Sequence, residues 1–340
     1  MSELRKDPII GRWVIVATER GKRPTDFIST KLKGETVSCP LCEGNENMTP
    51  PEIYSSRSQD TLANSPGWKI RVVPNKFPAL RIEGTVDREG LGMFDKMSGI
   101  GAHEVVIETP SHDDILHNRS VSGIITLLET YQKRINDLQK DQRLKYIMIF
   151  KNEGERAGAS LSHPHSQIIA TPIVPKRVRE EVDGSLEYYG YKMRCVFCDI
   201  IREEKRFGSR LVYENASFIS LCPFASRFPF EIWLLPKRHM SGYTQMTQQE
   251  TIELGDCLSM TMKRLAIALG EPQYNWMLHT EPNTLVPRNP WPDIQEHYHW
   301  HFEIIPKLTR VAGFEWGTGF YINPTPPEEA AAFLREVDVY

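Results

Sequence analysis

The 340-residue chain has no apolar run approaching a membrane span, and its first residues, Met1-Ser2-Glu3-Leu4-Arg5-Lys6-Asp7, contain no signal-peptide core. A cytoplasmic location is the expectation that follows. Net charge is also scant. Lys and Arg number 41 against 44 Asp and Glu, a balance of −3 that gives no support to binding of nucleic acid or of an anionic membrane. Cysteine is sparse: six in a chain this long point to metal or redox chemistry more than to a disulfide framework. The remainder is ordinary for a globular protein. With 40% hydrophobic and 25% charged residues, the 39.1 kDa chain can form one large domain or two of usual size around a substantial core.

One stretch stands out. It runs Asn152-Glu153-Gly154-Glu155-Arg156-Ala157-Gly158-Ala159-Ser160, then Leu161-Ser162-His163-Pro164-His165-Ser166-Gln167 and an apolar Ile168-Ile169-Ala170. Glycines and small residues let backbone N–H groups come close to an anion. A strand over 163–169 would project His163, His165 and Gln167 from one face. An imidazole there can attack phosphorus, and a neutral amide beside it can hold a phosphoryl oxygen.

The chain around this stretch plays one series of elements twice. A strand over 13–17 and a basic turn with Arg20 and Arg23 come first. Then follow the knuckle Cys39-Pro40-Leu41-Cys42 and a strand over 68–73 that leads into Asn75-Lys76-Phe77-Pro78. A strand over 104–112 ends at His112. Ile124, Ile125, Leu127, Leu128, Tyr131, Ile135 and Leu138 recur at helical spacing, and a strand over 146–150 enters the stretch above. The second half repeats the knuckle as Cys195-Val196-Phe197-Cys198. It has a strand into Arg227-Phe228-Pro229 and a strand from Glu231 to His239, with the interval that separates Glu104 from His112. Its helix carries Ile252, Leu254, Leu258, Met262, Leu265 and Leu269, and its last strand carries His299-Trp300-His301. Order and spacing preserved together imply a tandem duplication. The expected units are a catalytic module over 1–175 and a non-catalytic one over 195–340, joined by a charged linker over 176–194. Each is α+β, with a mainly antiparallel sheet and packed helices.

A Cys-x-x-Cys turn with two distant histidines suits structural zinc. The first set is Cys39, Cys42, His112 and His163; the repeat supplies Cys195, Cys198, His239 and His299. Zinc on His163 would pin the strand that presents His165. His297 reads as a supporting or surface residue, His103 and His117 carry no signal, and Cys222 and Cys257 read as small buried residues.

The 152–167 stretch resembles the active-site motif of the galactose-1-phosphate uridylyltransferase family, a transferase branch of the histidine-triad superfamily. That family carries Asn-x-Gly, Gly-Ala-Ser and His-Pro-His-x-Gln in this order, and the resemblance extends over nearly the whole chain. It implies two fused histidine-triad-like modules and a covalent nucleotidyl intermediate on His165. Gln167 and Ser160 would donate to the non-bridging oxygens, while Asn152, Gly154 and Gly158 hold the neighbouring phosphate. Arg20, Arg23, Asn75 and Phe77 would contact the nucleotide sugar, although Lys76 departs from the acidic residue of the enteric-type enzymes. The resemblance further implies zinc, two ions per chain, and a homodimer in which the partner's second half completes the sugar pocket. Phe314, Gly317 and Thr318, in a Gly- and aromatic-rich loop over 313–321, would line it. Some members use a carboxylate and three histidines for the second metal, here Glu181, His279, His299 and His301. The leading expectation is transfer between UDP-glucose and galactose 1-phosphate. An adenylyltransferase like ADP-glucose phosphorylase, with phosphate as acceptor, is the alternative, because Gly313-Phe314-Glu315-Trp316-Gly317-Thr318-Gly319 stands where galactose-using enzymes show a Lys-Phe…Gly-Tyr-Glu pattern. A zinc-structured nucleotide-binding module without catalysis is a third.

Overall fold

Alternation along one strand orients the whole molecule. In β9 (His165–Thr171) Ser166, Ile168 and Ala170 are buried on one side, where Ile168 and Ala170 join the main core. His165, Gln167 and Ile169 therefore point the other way, as period-two side-chain projection requires. The expected strand starts two residues late: His163 and Pro164 precede it. The computed structural model in which this is seen describes residues 2–17 and 39–339.

The first half contributes β3 (Tyr54–Arg57), β4 (Trp68–Pro74), β7 (Ala102–Ile107), β8 (Tyr146–Glu153) and β9. The second contributes β10 (Leu211–Glu214), β11 (Phe218–Leu221), β12 (Ile232–Pro236), β13 (Tyr274–His279) and β14 (His301–Pro306). All lie in one ten-stranded sheet of order β10-β11-β12-β14-β13-β8-β9-β7-β4-β3, while β5 (Arg88–Leu91) and β6 (Phe94–Met97) pair with each other outside it. Read outward from the β8–β13 seam, the two halves have the same strand order, so the repeat seen in the sequence is also a repeat in topology. The seam itself is an antiparallel ladder from Tyr274↔Glu153 to Leu278↔Ile149.

Helices α1 (Val121–Leu138) and α4 (Gln248–Leu269) pack against each other on one face. The buried residues of α1 include Ile124, Leu127, Leu128, Tyr131, Ile135 and Leu138, a stripe at helical period. In α4, Leu254, Leu258, Met262, Leu265 and Leu269 are buried, but Ile252 is 40% exposed. Two residues before Leu254 is about 200° around the helix, so Ile252 falls off the core stripe. Thr247 and Glu250 close the start of α4 with reciprocal side-chain bonds, and Gly270 ends it in the left-handed conformation.

The opposite face differs between the halves. On the second it is covered by α2 (Lys176–Lys192), α3 (Val196–Phe207) and the short α5 (Ile294–His297), whose Val178, Val182, Phe197, Ile201 and Ile294 pack with Trp233 and Leu235. The charged stretch read as a linker is thus mostly a helix with a buried stripe of Val178, Glu181, Val182 and Ser185. On the first half the same face carries the Cys39–Cys42 loop, and Asn152, His103 and Gln167 stay partly open.

A small sheet joins the chain's two ends. In it β1 (Glu3–Lys6) pairs with β2 (Trp13–Val16), which runs parallel to β15 (Tyr321–Asn323). Arg5 also reaches Glu328 at 2.9 Å, in α7 (Pro327–Glu336). The first residues therefore pack on the second half. The stretch 313–321, expected as a loop, is mainly the short helix α6 (Gly313–Thr318). His112 lies in a turn and His239 in irregular chain, beyond the ends of β7 at Ile107 and β12 at Pro236, because each must leave the sheet to reach its cysteines. Among the described residues no helix is long and apolar enough to cross a membrane.

Candidate active site and metal centres

The His165 ring is 7% exposed, and its Nδ1 lies 2.8 Å from the carbonyl oxygen of His163. A carbonyl can only accept, so Nδ1 carries the proton and Nε2 keeps its lone pair. Burial is the largest influence on this ring and holds its pKa below the ordinary value. The His163 carbonyl works against that, and the charge of Lys151 adds to it. A neutral imidazole with a free Nε2 is the form a nucleophile needs.

Beneath it lies a buried charge cluster. Lys151 Nζ donates to Glu108 Oε2 at 3.0 Å and to the carbonyl oxygen of His165 at 3.3 Å, and lies 3.4 Å from Glu153. Arg119 reaches the same Glu108 at 3.4 Å. Deleting one member of such a buried pair costs about 3–5 kcal/mol, so the backbone at His165 is firmly seated. From the core side, Tyr131 and Ser166 share a 2.6 Å hydroxyl contact.

The glycine loop after β8 is a single 3-10 turn over Glu155–Ala157. Gly154 has φ of +86°, and a Cβ there would meet Gln273 at 2.4 Å; Gly158 has φ of +90°. Both positions favour glycine for these reasons. Gly158 N–H already donates to Glu155 O at 2.9 Å, and Ala159 N–H to Gly154 O at 3.1 Å. An anion at this loop would therefore not be met by those two N–H groups. Asn152 Nδ2, which faces Gly158, and the exposed Ser160 are the side chains placed for it.

The second half braces this loop, which the sequence did not reveal. Asn275 Nδ2, on β13, donates to Asn152 Oδ1 and to Ala157 O, both at 2.8 Å, and Gln273 Oε1 accepts from Arg156 N at 2.6 Å. Holding Oδ1 fixes Asn152 with its NH2 toward Gly158. Asn275→Ala should lower single-turnover labelling of His165 about tenfold and cost about 1–3 kcal/mol in denaturant unfolding, because two acceptors lose their donor. Unchanged labelling would make the brace incidental.

His103, assigned no role from the sequence, lies in the site. Its Nε2 stands 2.8 Å from Gln167 Oε1 and 3.1 Å from Asn75 Nδ2. Period two on β7 places His103, Val105 and Ile107 on one face, and Val105 and Ile107 pair with Gln167 and His165. That alternation was the signal available in the sequence. Asn75 Oδ1 accepts from Phe77 N at 2.9 Å, and the Phe77 ring is 83% exposed. Arg20 and Arg23 lie outside the described residues. Phe314, Gly317 and Thr318 sit on α6, whose residues are not buried. The Thr318 hydroxyl donates to Phe314 O at 2.7 Å, and among the described residues no hydrogen bond joins α6 to the His165 cluster.

The structure brings together Cys39, Cys42, His112 and His163, and separately Cys195, Cys198, His239 and His299, with ligand atoms of each set within 4.8 Å of one another. Cys42 Sγ lies 3.5 Å from Nδ1 of both His112 and His163; Cys198 Sγ lies 3.3 Å from His239 Nδ1 and 3.7 Å from His299 Nδ1. The far nitrogens are held by oxygen: His163 by Thr109 O, His239 by Gln295 O and His299 by Pro236 O, with His112 against Ser162 Oγ. Two thiols and two imidazoles with outer nitrogens so oriented fit a tetrahedral zinc ion.

The carboxylate-containing alternative is arranged differently from the expected set. Glu181, His279 and His301 gather with Glu303, while His299 stays with the cysteines. Glu181 Oε2 is 2.8 Å from His279 Nδ1, and Arg227 holds Glu303 at 2.6 Å and Glu231 at 3.2 Å. His301 repeats the His165 geometry, with Nδ1 3.2 Å from His299 O. It is 1% exposed, however, stacked on His279 and walled by Phe197 and Trp233. His297, expected to be supporting or superficial, is fully buried, with Nδ1 2.8 Å from Ser185 Oγ.

Comparison with known proteins agrees along the whole length. Residues 1–175 match the model of the galactose-1-phosphate uridyl transferase N-terminal domain, and residues 181–335 that of its C-terminal domain. The chain is 39% identical over 343 residues to an ADP-glucose phosphorylase of Arabidopsis thaliana, covering 99% of this chain and 93% of that protein. It is 33% identical over 347 residues to a galactose-1-phosphate uridylyltransferase of Thermotoga maritima, covering 100% and 99%. Among solved structures, the Arabidopsis thaliana ADP-glucose phosphorylase with bound ADP-glucose superposes with a TM-score of 0.83 at 36% identity, covering 99% of this chain and 100% of that one. A uridylyltransferase structure gives 0.74 at 30%, covering 98% and 97%. With both halves matched in order and the His-Pro-His-x-Gln strand built as described, the chain belongs to the galactose-1-phosphate uridyl transferase family.

Proposed function

We propose that the protein is a nucleotidyltransferase that moves a nucleotidyl group from a nucleoside diphosphate sugar through a covalent intermediate on His165. The observation that carries this is the neutral His165 imidazole, its proton held on Nδ1 by the His163 carbonyl. Nε2 attacks the α-phosphorus, the bond from that phosphorus to the bridging oxygen breaks, and the sugar 1-phosphate leaves with the electron pair. An oxygen of a second phosphate then attacks the same phosphorus and regenerates the imidazole. Gln167 N–H2, Asn152 N–H2 and Ser160 donate to oxygens whose charge grows in the transition state. Gln167 has no acidic proton, which favours transfer to a phosphate over hydrolysis.

The leading reading is UDP-glucose:hexose-1-phosphate uridylyltransferase. A second reading, adenylyl transfer to inorganic phosphate, is favoured by the ADP-glucose phosphorylase at 39% identity and by an α6, Gly313-Phe314-Glu315-Trp316-Gly317-Thr318, that departs from the Lys-Phe…Gly-Tyr-Glu pattern expected for a hexose phosphate. Incubation with UDP-glucose and ADP-glucose, each labelled in the nucleotide, distinguishes them by which nucleotidyl group the protein retains. Retention of neither overturns both.

The domain reading goes with this mechanism: a catalytic module over 1–175 and a scaffold module over 195–340. Zinc in the two cysteine-containing sets would hold His163 and His299, and so brace the strands next to them. The working unit is a homodimer whose partner supplies α6 to the sugar pocket. Support comes from aromatic rings left in solvent at both places, Phe77 at 83% and Trp316 at 79% exposure. Mixing His165→Gly with Thr318→Trp under subunit exchange should restore up to about a quarter of wild-type activity, since half the dimers become hybrids with one intact site. No recovery despite demonstrated exchange would place the pocket within one chain.

A further inference from the structure

The His103 ring has its proton placed by its surroundings. Ala79 N donates to His103 Nδ1 at 3.0 Å, and a backbone N–H cannot turn to become an acceptor. Nδ1 therefore holds a lone pair, and the proton sits on Nε2. That nitrogen is 2.8 Å from Gln167 Oε1, so His103 donates and Gln167 accepts. Asn75 Nδ2, at 3.1 Å from the same nitrogen, is then a close neighbour and not a partner. An amide side chain is a rotor with two nearly equivalent settings, one presenting NH2 and the other oxygen. With Oε1 anchored by His103, Gln167 keeps its NH2 as the free end.

The other half supplies an internal comparison. His103 pairs with Ile169 on the β7–β9 ladder, two residues beyond Gln167. In the second half Ile232 pairs with Ile304 and Trp233 with Glu303, which puts Glu231 at the position of His103 and Glu303 at that of Gln167. Arg227 bonds both of these carboxylates. The two ladder positions are thus linked in each half: by a neutral donor–acceptor contact where a ligand can approach, and by a closed charge network where His301 is sealed.

We propose that His103 is a positioning residue that sets Gln167 with its NH2 toward the phosphoryl oxygens. This rests on the reading of His165 and Gln167 as the transfer centre. Turned the other way, Gln167 would offer a lone pair to an anion, and an essential donor of this kind is worth about 10²–10³ in rate.

The experiment measures single-turnover nucleotidyl labelling of full-length protein with the labelled nucleoside diphosphate sugar that wild type accepts. The set is wild type, His103→Phe, His103→Gln, His103→Asn, Gln167→Ala and His103→Phe/Gln167→Ala, with thermal unfolding run on each. His103→Phe should lose about 30–100-fold. His103→Gln, whose amide nitrogen takes the place of Nε2, should recover most of that loss; His103→Asn, which keeps only the acceptor for Ala79, should not. In the Gln167→Ala background, His103→Phe should add less than about threefold, because His103 acts through Gln167. Labelled wild type with His103→Phe unimpaired, or with losses that multiply in the double variant, overturns the role of His103. If His103→Phe does not fold, the Gln and Asn pair decides alone, and equal rates for those two overturn it. Absence of label on wild type with either sugar nucleotide overturns the transfer reading, and this inference with it.

Discussion

His165→Gly should abolish formation of the nucleotidyl-enzyme, with turnover falling by on the order of 10⁴-fold or more, while secondary structure and metal content stay near those of wild type. The size of the effect follows from the site. Removing the ring removes the only step that splits the transfer into two easier halves, whereas Gln167, Asn152 and Ser160 merely stabilise charge around it. The His165 ring also contributes little to the fold outside the reaction, since among the described residues its one hydrogen bond runs to the neighbouring His163 carbonyl. Added free imidazole has a cavity to enter in the glycine variant and should restore part of the transfer. Mass spectrometry of trapped protein checks the assignment. A nucleotidyl group on any residue other than His165 ends the mechanism.

The second large effect is on metal. Wild type should hold close to two zinc ions by elemental analysis, with Cys39→Ser and Cys195→Ser each losing about one. The functional outcomes should differ. Cys39→Ser frees His163, whose carbonyl holds the His165 proton in place, so labelling should fall together with the metal. Cys195→Ser frees His299 beside a sealed centre, so labelling should largely survive while thermal stability drops. Zinc supplies roughly 10 kcal/mol or more to finger peptides, which have no other core. The large apolar core here makes a smaller loss the expectation. Should Cys195→Ser keep full metal while His279→Ala or His301→Ala loses it, the second ion sits among Glu181, His279, His301 and Glu303.

How far the sequence could be read depends on the range of each interaction. Cys-x-x-Cys turns and His-x-His alternation are local, and all eight proposed cysteine and histidine ligands come together in the two groups read from the chain. The split between His163 and His165 also prefigured that between His299 and His301, and it is why His299 left the carboxylate set. Non-local registers were not legible. His103 meets Gln167 only because β7 and β9 pair with Ile107 opposite His165, and Asn275 meets Asn152 only across the β8–β13 seam. Equal intervals in the two halves suggested that Glu231 echoes Glu104, yet the ladders align Glu231 with His103. Segment 176–194 looked like a linker because it is highly charged. Its apolar stripe of Val178 and Val182 is short and is completed by residues from other elements.

The small sheet that ties β2 to β15 has a consequence for how the protein is made. Val14 and Val16 are fully buried, and their strand finds its parallel neighbour only at Tyr321 to Asn323. During synthesis the first of these strands leaves the ribosome about 300 residues ahead of the second, a wait on the order of 15–60 s at usual elongation rates. The catalytic module can assemble and β2 can pair with β1 in that interval, but the other edge of β2 stays open until residues 321–323 emerge. A nascent chain stalled or truncated before residue 321 would carry an apolar strand with a free edge, the kind of segment that chaperones bind and that aggregates recruit.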